Sequence, residues 1–335
     1  MKTNKPHRYW VLSGLLLTLA ATEATACIWV SGTTIDGGRE RVGGLNPLRR
    51  VIRAMEESPA SRLNELRERS DARAADSAEA LEFAGVELLL EGRAEAAVLQ
   101  LVQLEEKFPG RYATAANLGT AYELAGDIRQ ALKWIGEGIN RNEDSHFGSE
   151  WVHVAILEAK SELEKNPDWL LQRRVIPLPG RFDADDEITI GGRARTVRDI
   201  SAAVLYQLEE RVVFVKPKDP VVADLLFSFA RIQAQTGVVE NGLKALKLSR
   251  EYGFADDVLL AATIARYERI ITWGKIRWYS TVTVVSIGAV WLLWFAYRRK
   301  WFFLSTKDLN AYKASLMERK PEAEGPVTVS DSRNS

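Results

Sequence analysis

The chain has 335 residues, and its 45 Lys and Arg balance 45 Asp and Glu, for a formal net charge of zero. A neutral chain carries no general attraction for nucleic acid or anionic lipid, so nucleic acid is not expected among its partners. The single cysteine, Cys27, excludes an internal disulfide and leaves stability to a packed core.

Residues 1–26, MKTNKPHRYWVLSGLLLTLAATEATA, have the layout of a secretory signal peptide. Lys2, Lys5 and Arg8 make a basic start, Trp10 to Ala21 an apolar run, and Ala24-Thr25-Ala26 a cleavage box. The apolar run is too short to span a bilayer. Cleavage after Ala26 leaves Cys27 first, where a lipid anchor could attach. Ala24-Thr25-Ala26 lacks the leucine usual three positions before a lipidated cysteine, so an ordinary cleavage site is the simpler reading.

Residues 27–77 read as a charged helical region, with Pro59 separating two helices whose charges form a solvated face. Beyond it the chain repeats at an offset of 34 residues: 84-AGVELLLEGRAEAAVLQLVQLEEKFP-109 falls onto 118-LGTAYELAGDIRQALKWIGEGINRNE-143. Gly85 pairs with Gly119, Leu88 with Tyr122, Gly92 with Gly126, Ala97 with Ala131 and Leu101 with Ile135. Small residues let paired helices approach closely, and Gly92 and Gly126 permit a tight turn between them. A third copy is read at 223-ADLLFSFARIQAQTGVVENGLKALKLSREYG-253, with Gly237 as its turn glycine and Gly242 as its small residue.

These residues resemble the tetratricopeptide repeat, with its small, aromatic, glycine, alanine and bulky apolar positions. Ala115 stands where that family has tryptophan, and Glu143 replaces one of its closing prolines. The resemblance implies an all-α solenoid of stacked helix pairs, each unable to bury its apolar face alone. It also implies a groove, lined by first helices, that takes a protein or peptide partner. Carried over position by position, the groove residues are Glu82, Val86 and Leu89, then Ala116, Thr120 and Glu123, then Phe227, Arg231 and Ala234. The family's carboxylate-clamping lysine and asparagine are absent, and Glu82 and Glu123 point to a neutral or basic ligand segment.

A further offset of 34 places 149-SEWVHVAILEAKSELEKNP-167 as the first helix of a degenerate repeat, so residues 78–167 form one block. Its start carries His146, Glu150 and His153 at i, i+4 and i+7, one stripe if all are helical and a set that could ligate zinc. Against this, His146 precedes the helix cap and the one other histidine, His7, lies in the signal peptide. The spacing also differs from the two-histidine zinc-protease helix. A packed or hydrogen-bonded His153 is the plainer expectation, with no metal or other cofactor.

Residues 168–218 interrupt the helical period. Glu187 to Ile190, Gly191-Gly192 and Arg193 to Val197 read as a small β-hairpin, followed by a helix over 200–214. Asp183, Asp185, Asp186 and Glu187 lack the central glycine and distal glutamate of a calcium-binding loop. The third copy and a capping helix fill 219–274.

The segment 278-WYSTVTVVSIGAVWLLWFAY-297 is twenty residues without a formal charge, matching the roughly 30 Å of a hydrocarbon core. Trp273, Trp278 and Tyr279 mark one edge; Trp294, Tyr297 and Trp301 mark the other. Arg298-Arg299-Lys300 follows and places residues 298–335 in the cytoplasm as a tail. No nucleophile constellation or phosphate-binding glycine loop is visible, so no enzyme is expected. The reading is a single-pass adaptor of a bacterial cytoplasmic membrane with its repeats outside, resembling uncharacterised exported, membrane-anchored bacterial repeat proteins. The alternatives are an envelope metalloprotein using His146, Glu150 and His153, or a permanent structural subunit of an envelope complex.

Overall fold

The computed structural model describes residues 29–43, 47–70, 77–298 and 314. The signal-peptide segment, Cys27 and, apart from 298 and 314, the tail lie outside the described residues. The described residues are mostly helical and fall into two compact units that divide between Ile276 and Arg277.

The first unit opens with a hairpin of β1 (Trp29–Thr33) and β2 (Arg39–Gly43), antiparallel with Thr33 opposite Arg39. This corrects the reading of the segment after Ala26 as helical throughout. Gly32 and Thr33 dock the hairpin. A Cβ at Gly32 would lie 2.5 Å from Val238 Cγ1, and Thr33 donates through its N–H and Oγ1 to the Glu240 carboxylate at 2.8 and 2.9 Å. Helices α1 (Leu48–Glu56) and α2 (Pro59–Ser70) follow, with Pro59 at the start of the second, where a proline costs no hydrogen bond.

Next come two helix pairs, α3 (Ala78–Leu90) with α4 (Ala94–Lys107) and α5 (Tyr112–Leu124) with α6 (Ile128–Arg141). Each element of the second pair begins and ends 34 residues after its counterpart in the first. The close contacts obey the same offset. A Cβ at Gly85 would meet Leu101 Cδ2 at 2.6 Å, and one at Gly119 would meet Ile135 Cδ1 at 2.3 Å. Gly92 and Gly126 turn the chain with φ of 75° and 86°, left-handed values that a Cβ would penalise. Leu89, Leu101, Leu104 and Leu118 fill the space beneath these helices.

The single turn α7 (Ser145–Gly148) precedes α8 (Glu150–Lys165), whose Leu157 packs with Ile128 and Ile135 while Val152, Ile156 and Ala159 join the main core. After α9 (Trp169–Gln172), an irregular stretch leads to the hairpin β3 (Glu187–Ile190) and β4 (Arg193–Thr196). Gly191 and Gly192 both have positive φ, 59° and 77°, the primed-turn geometry that matches strand twist. Helix α10 (Val197–Phe214), capped by Thr196, is the long central element of the core. It begins three residues earlier than the sequence pattern indicated.

Helices α11 (Pro220–Thr236) and α12 (Val239–Tyr252) make the last pair. They differ from the first two pairs: Gly237, which caps α11 in the link to α12, has φ of −151° rather than a left-handed value. Helix α13 (Asp257–Arg298) has 42 residues and contains the division between the two units. Leu260, Ile264, Tyr267 and Ile271 pack its first part into the core of the first unit. In the second unit it is an exposed apolar helix, the one among the described residues long and apolar enough to cross a membrane.

Candidate functional site

The groove positions of the first two pairs converge. Val86 and Leu89 from α3, with Ala116, Thr120 and Glu123 from α5, line one cleft of about 220 Å³. Glu82 stands apart from it, accepting hydrogen bonds from Arg111 and Asn117, both at 3.1 Å. The opposite wall is α10, which contributes Tyr206, Gln207, Glu210, Arg211 and Phe214. The segment read as an insertion therefore furnishes one wall of the site.

At the closed end lies a buried ionic cluster that no local spacing announces. Arg211 from α10 forks onto Glu123 from α5, Nη2 reaching Oε2 at 3.1 Å and Nη1 donating to Oε1. Lys160 Nζ lies 2.7 Å from Glu123 Oε1, and His153 Nε2 lies 2.8 Å from Oε2. An ionised carboxylate only accepts, so the His153 proton sits on Nε2. These side chains come from three helices, and Glu123 is 2 % exposed. Burial alone would raise the Glu123 pKa; Arg211, His153 and Lys160 together hold it well below the usual carboxylate range. For His153, burial opposes the charge, but Glu123 and Glu150 outweigh it and raise its pKa above 6.5.

Glu150, the first residue of α8, continues the cluster outward. Its Oε1 bonds His146 Nδ1, while its Oε2 stands 3.6 Å from His153 Nδ1 and accepts no hydrogen bond. Burial works against its charge, yet the hydrogen bond from His146 and the charge of His153 beside it lower its pKa to about 2. His146 is not on the α8 helix: it and Phe147 have left-handed φ of 49° and 58°, and Gly148 continues at 66°. This strained turn seats the His146 ring between Tyr112, at 5.7 Å, and Tyr206, at 5.5 Å. Phe147 meets Tyr206 edge-on at 5.5 Å and is 90 % exposed.

His146, Glu150 and His153 are thus brought together, but they are engaged in hydrogen bonds. Among the described residues, no group of three His, Cys, Asp or Glu side chains is placed to hold a metal ion. Asp183, Asp185 and Asp186 likewise do local work: Asp186 accepts from the Asp183 N–H at 2.8 Å, and Asp185 pairs with Arg198 at 2.8 Å.

The groove positions of the third pair do not join the cleft. Phe227 and Ala234 are buried, and Arg231 donates to the carbonyls of Leu178, at 3.2 Å from Nη1, and Pro179. The cause is the irregular stretch after α9, which runs along α11. Asp224 accepts from the Val175 N–H at 2.8 Å, Ser228 donates to Ile176 O at 3.4 Å, and Gln235 Oε1 accepts from the Phe182 N–H at 3.1 Å. Asp224, Ser228, Arg231 and Gln235 recur at helical spacing, so one face of α11 satisfies the backbone of the chain's own extended segment. A partner is excluded from that face. Sequence reasoning missed this, and the single hint was the run of prolines, which cannot continue a helix.

Comparison with protein-family models, with curated proteins and with solved structures finds no match for the chain.

Proposed function

We propose that the protein is a single-pass membrane scaffold that binds polypeptide partners in the cleft between α5 and α10, outside the cytoplasm. The observation that carries this is the cleft itself: apolar lining from Val86, Leu89 and Phe214, polar lining from Glu123, Glu150 and His153, and an exposed aromatic, Phe147, against its Tyr206. At about 220 Å³ it is smaller than the roughly 300–1,000 Å³ of small-molecule pockets, which favours a side chain of a larger partner. The recurring helix pairs support a resemblance to peptide-binding helical repeats, with the binding face narrowed to the first two pairs. The apolar part of α13, its flanking aromatics and Arg298 support anchoring with a cytoplasmic C-terminus. The leader's composition supports export of the preceding segment.

The test is affinity capture of the full-length protein from its native membrane in mild detergent, comparing wild type with Thr120→Trp, which fills the cleft. A polypeptide retained by wild type and lost from the variant is the expected result. An identical set retained by both would overturn the assignment of binding to this cleft.

A further inference from the structure

The cleft contains one buried acceptor that the protein itself leaves unused. Glu150 is 3 % exposed, yet its Oε2 receives no hydrogen bond; His153 Nδ1, at 3.6 Å, is beyond hydrogen-bonding range. A carboxylate oxygen left unmet in this way is costly, so a donor brought by a ligand is rewarded. The charge of Glu123 is already met by Arg211 and Lys160, and Glu210 faces Arg62 at 3.6 Å. Glu150 is met within hydrogen-bonding range only at Oε1, by His146, so its Oε2 is the acceptor in the cleft with spare capacity.

The type of donor follows from geometry. His146 occupies Oε1, which leaves a single oxygen and no bidentate edge for a guanidinium fork. A compact ammonium, which bonds as a point charge, suits one oxygen. Phe147, exposed and edge-on to the cleft's Tyr206, offers a ring face that attracts an ammonium. Leu89 and Phe214 provide an apolar path on which an aliphatic stem can lie while its head reaches the polar end.

We infer that the cleft takes a lysine side chain of a partner polypeptide, its ammonium donating to Glu150 Oε2 and its aliphatic stem lying against Leu89 and Phe214. This rests on reading the cleft as a polypeptide site. The probe is a set of capped pentapeptides, Leu-Ala-Xaa-Ala-Leu, with lysine, norleucine or arginine at the centre, titrated into the full-length protein in detergent micelles. The lysine peptide is expected to bind about tenfold tighter than either of the others. Glu150→Gln should reduce it to the norleucine level with the helical circular dichroism intact, and Thr120→Trp should abolish binding of all three. Should Glu150→Gln fail to fold, Phe147→Ala decides, since it should weaken the lysine peptide and spare norleucine. Equal affinity for lysine and norleucine, removed by Thr120→Trp, would overturn the lysine inference and leave polypeptide binding standing. A lysine preference unchanged in Glu150→Gln, or no binding by any peptide, would also overturn it; capture from native membrane tests the scaffold reading separately.

Discussion

Glu123 shows how one residue can be read in two ways. From its position on a first helix it belongs to a ligand-binding groove, and it does line the cleft. Its charge, however, is spent inside the protein on Arg211, His153 and Lys160. The inference of a basic ligand from Glu123 and Glu82 therefore loses its basis, and Glu150 carries that argument instead. Removing one member of such a buried pair strands the other. Glu123→Ala is expected to destabilise the fold by about 3–5 kcal/mol, read as a lowered midpoint in urea unfolding. The same cluster sets a pH dependence. His153 has a folded-state pKa above 6.5, so its contribution is complete below pH 6.5 and is lost as pH rises through the folded value. Glu150, lowered from 4.5 to about 2, contributes stability that is complete above pH 4.5 and lost as pH falls toward 2. Thermal unfolding should show a midpoint that falls as pH rises above 6.5 in wild type and stays flat there in His153→Gln. Buried Asp224 adds a separate slope: burial raises its pKa from 3.8 to about 6, so it favours the fold below pH 3.8 and less so up to about 6. Asp224→Asn should remove that slope.

Among the elements, what the sequence made legible was local. Helix ends, turn glycines and small contact residues repeat at 34 because each depends on neighbours within one hairpin, and the contacts of Gly85 and Gly119 follow suit. The β3–β4 hairpin was legible for the same reason, since Gly191-Gly192 fixes its own turn. What was not legible depends on distant partners. The β1–β2 hairpin is held by Glu240, the stretch after α9 by α11, and the cleft's second wall by a helix lying 88 residues beyond Glu123 at the Arg211 pair. The left-handed His146 and Phe147 were equally hidden, because a glycine is the usual occupant of such positions. The glycines supply a contrast that tests the packing. Gly136 lies in α6 with nothing within 4 Å of a Cβ, so Gly136→Ala should stabilise by about 0.5–1 kcal/mol through helix propensity. A Cβ at Gly242 would lie 2.6 Å from the Ala230 carbonyl oxygen, a backbone atom that cannot step aside. Gly242→Ala should cost about 1–3 kcal/mol. Equal midpoints for these two variants in thermal unfolding would contradict the α11–α12 contact.

For the whole molecule, two features of the described residues meet in one chain: helix pairs with a shared cleft, and a 42-residue helix whose latter part is exposed and apolar. The twenty uncharged residues 278–297 cover about 30 Å as a helix, the thickness of a hydrocarbon core. Orientation is measurable by cysteine labelling in a Cys27→Ser background. Arg129→Cys should react with a membrane-impermeant maleimide in intact spheroplasts, and Glu318→Cys should react only after lysis. The central claim is that the α5–α10 cleft grips other polypeptides at the membrane. Its most direct test is photo-cross-linking in living cells from a photoreactive amino acid placed at Thr120, inside the cleft, or at Arg129, on an exposed helix start. Discrete polypeptide adducts from position 120 and none from position 129 are predicted; adducts absent at 120, or the same at both, would contradict the account.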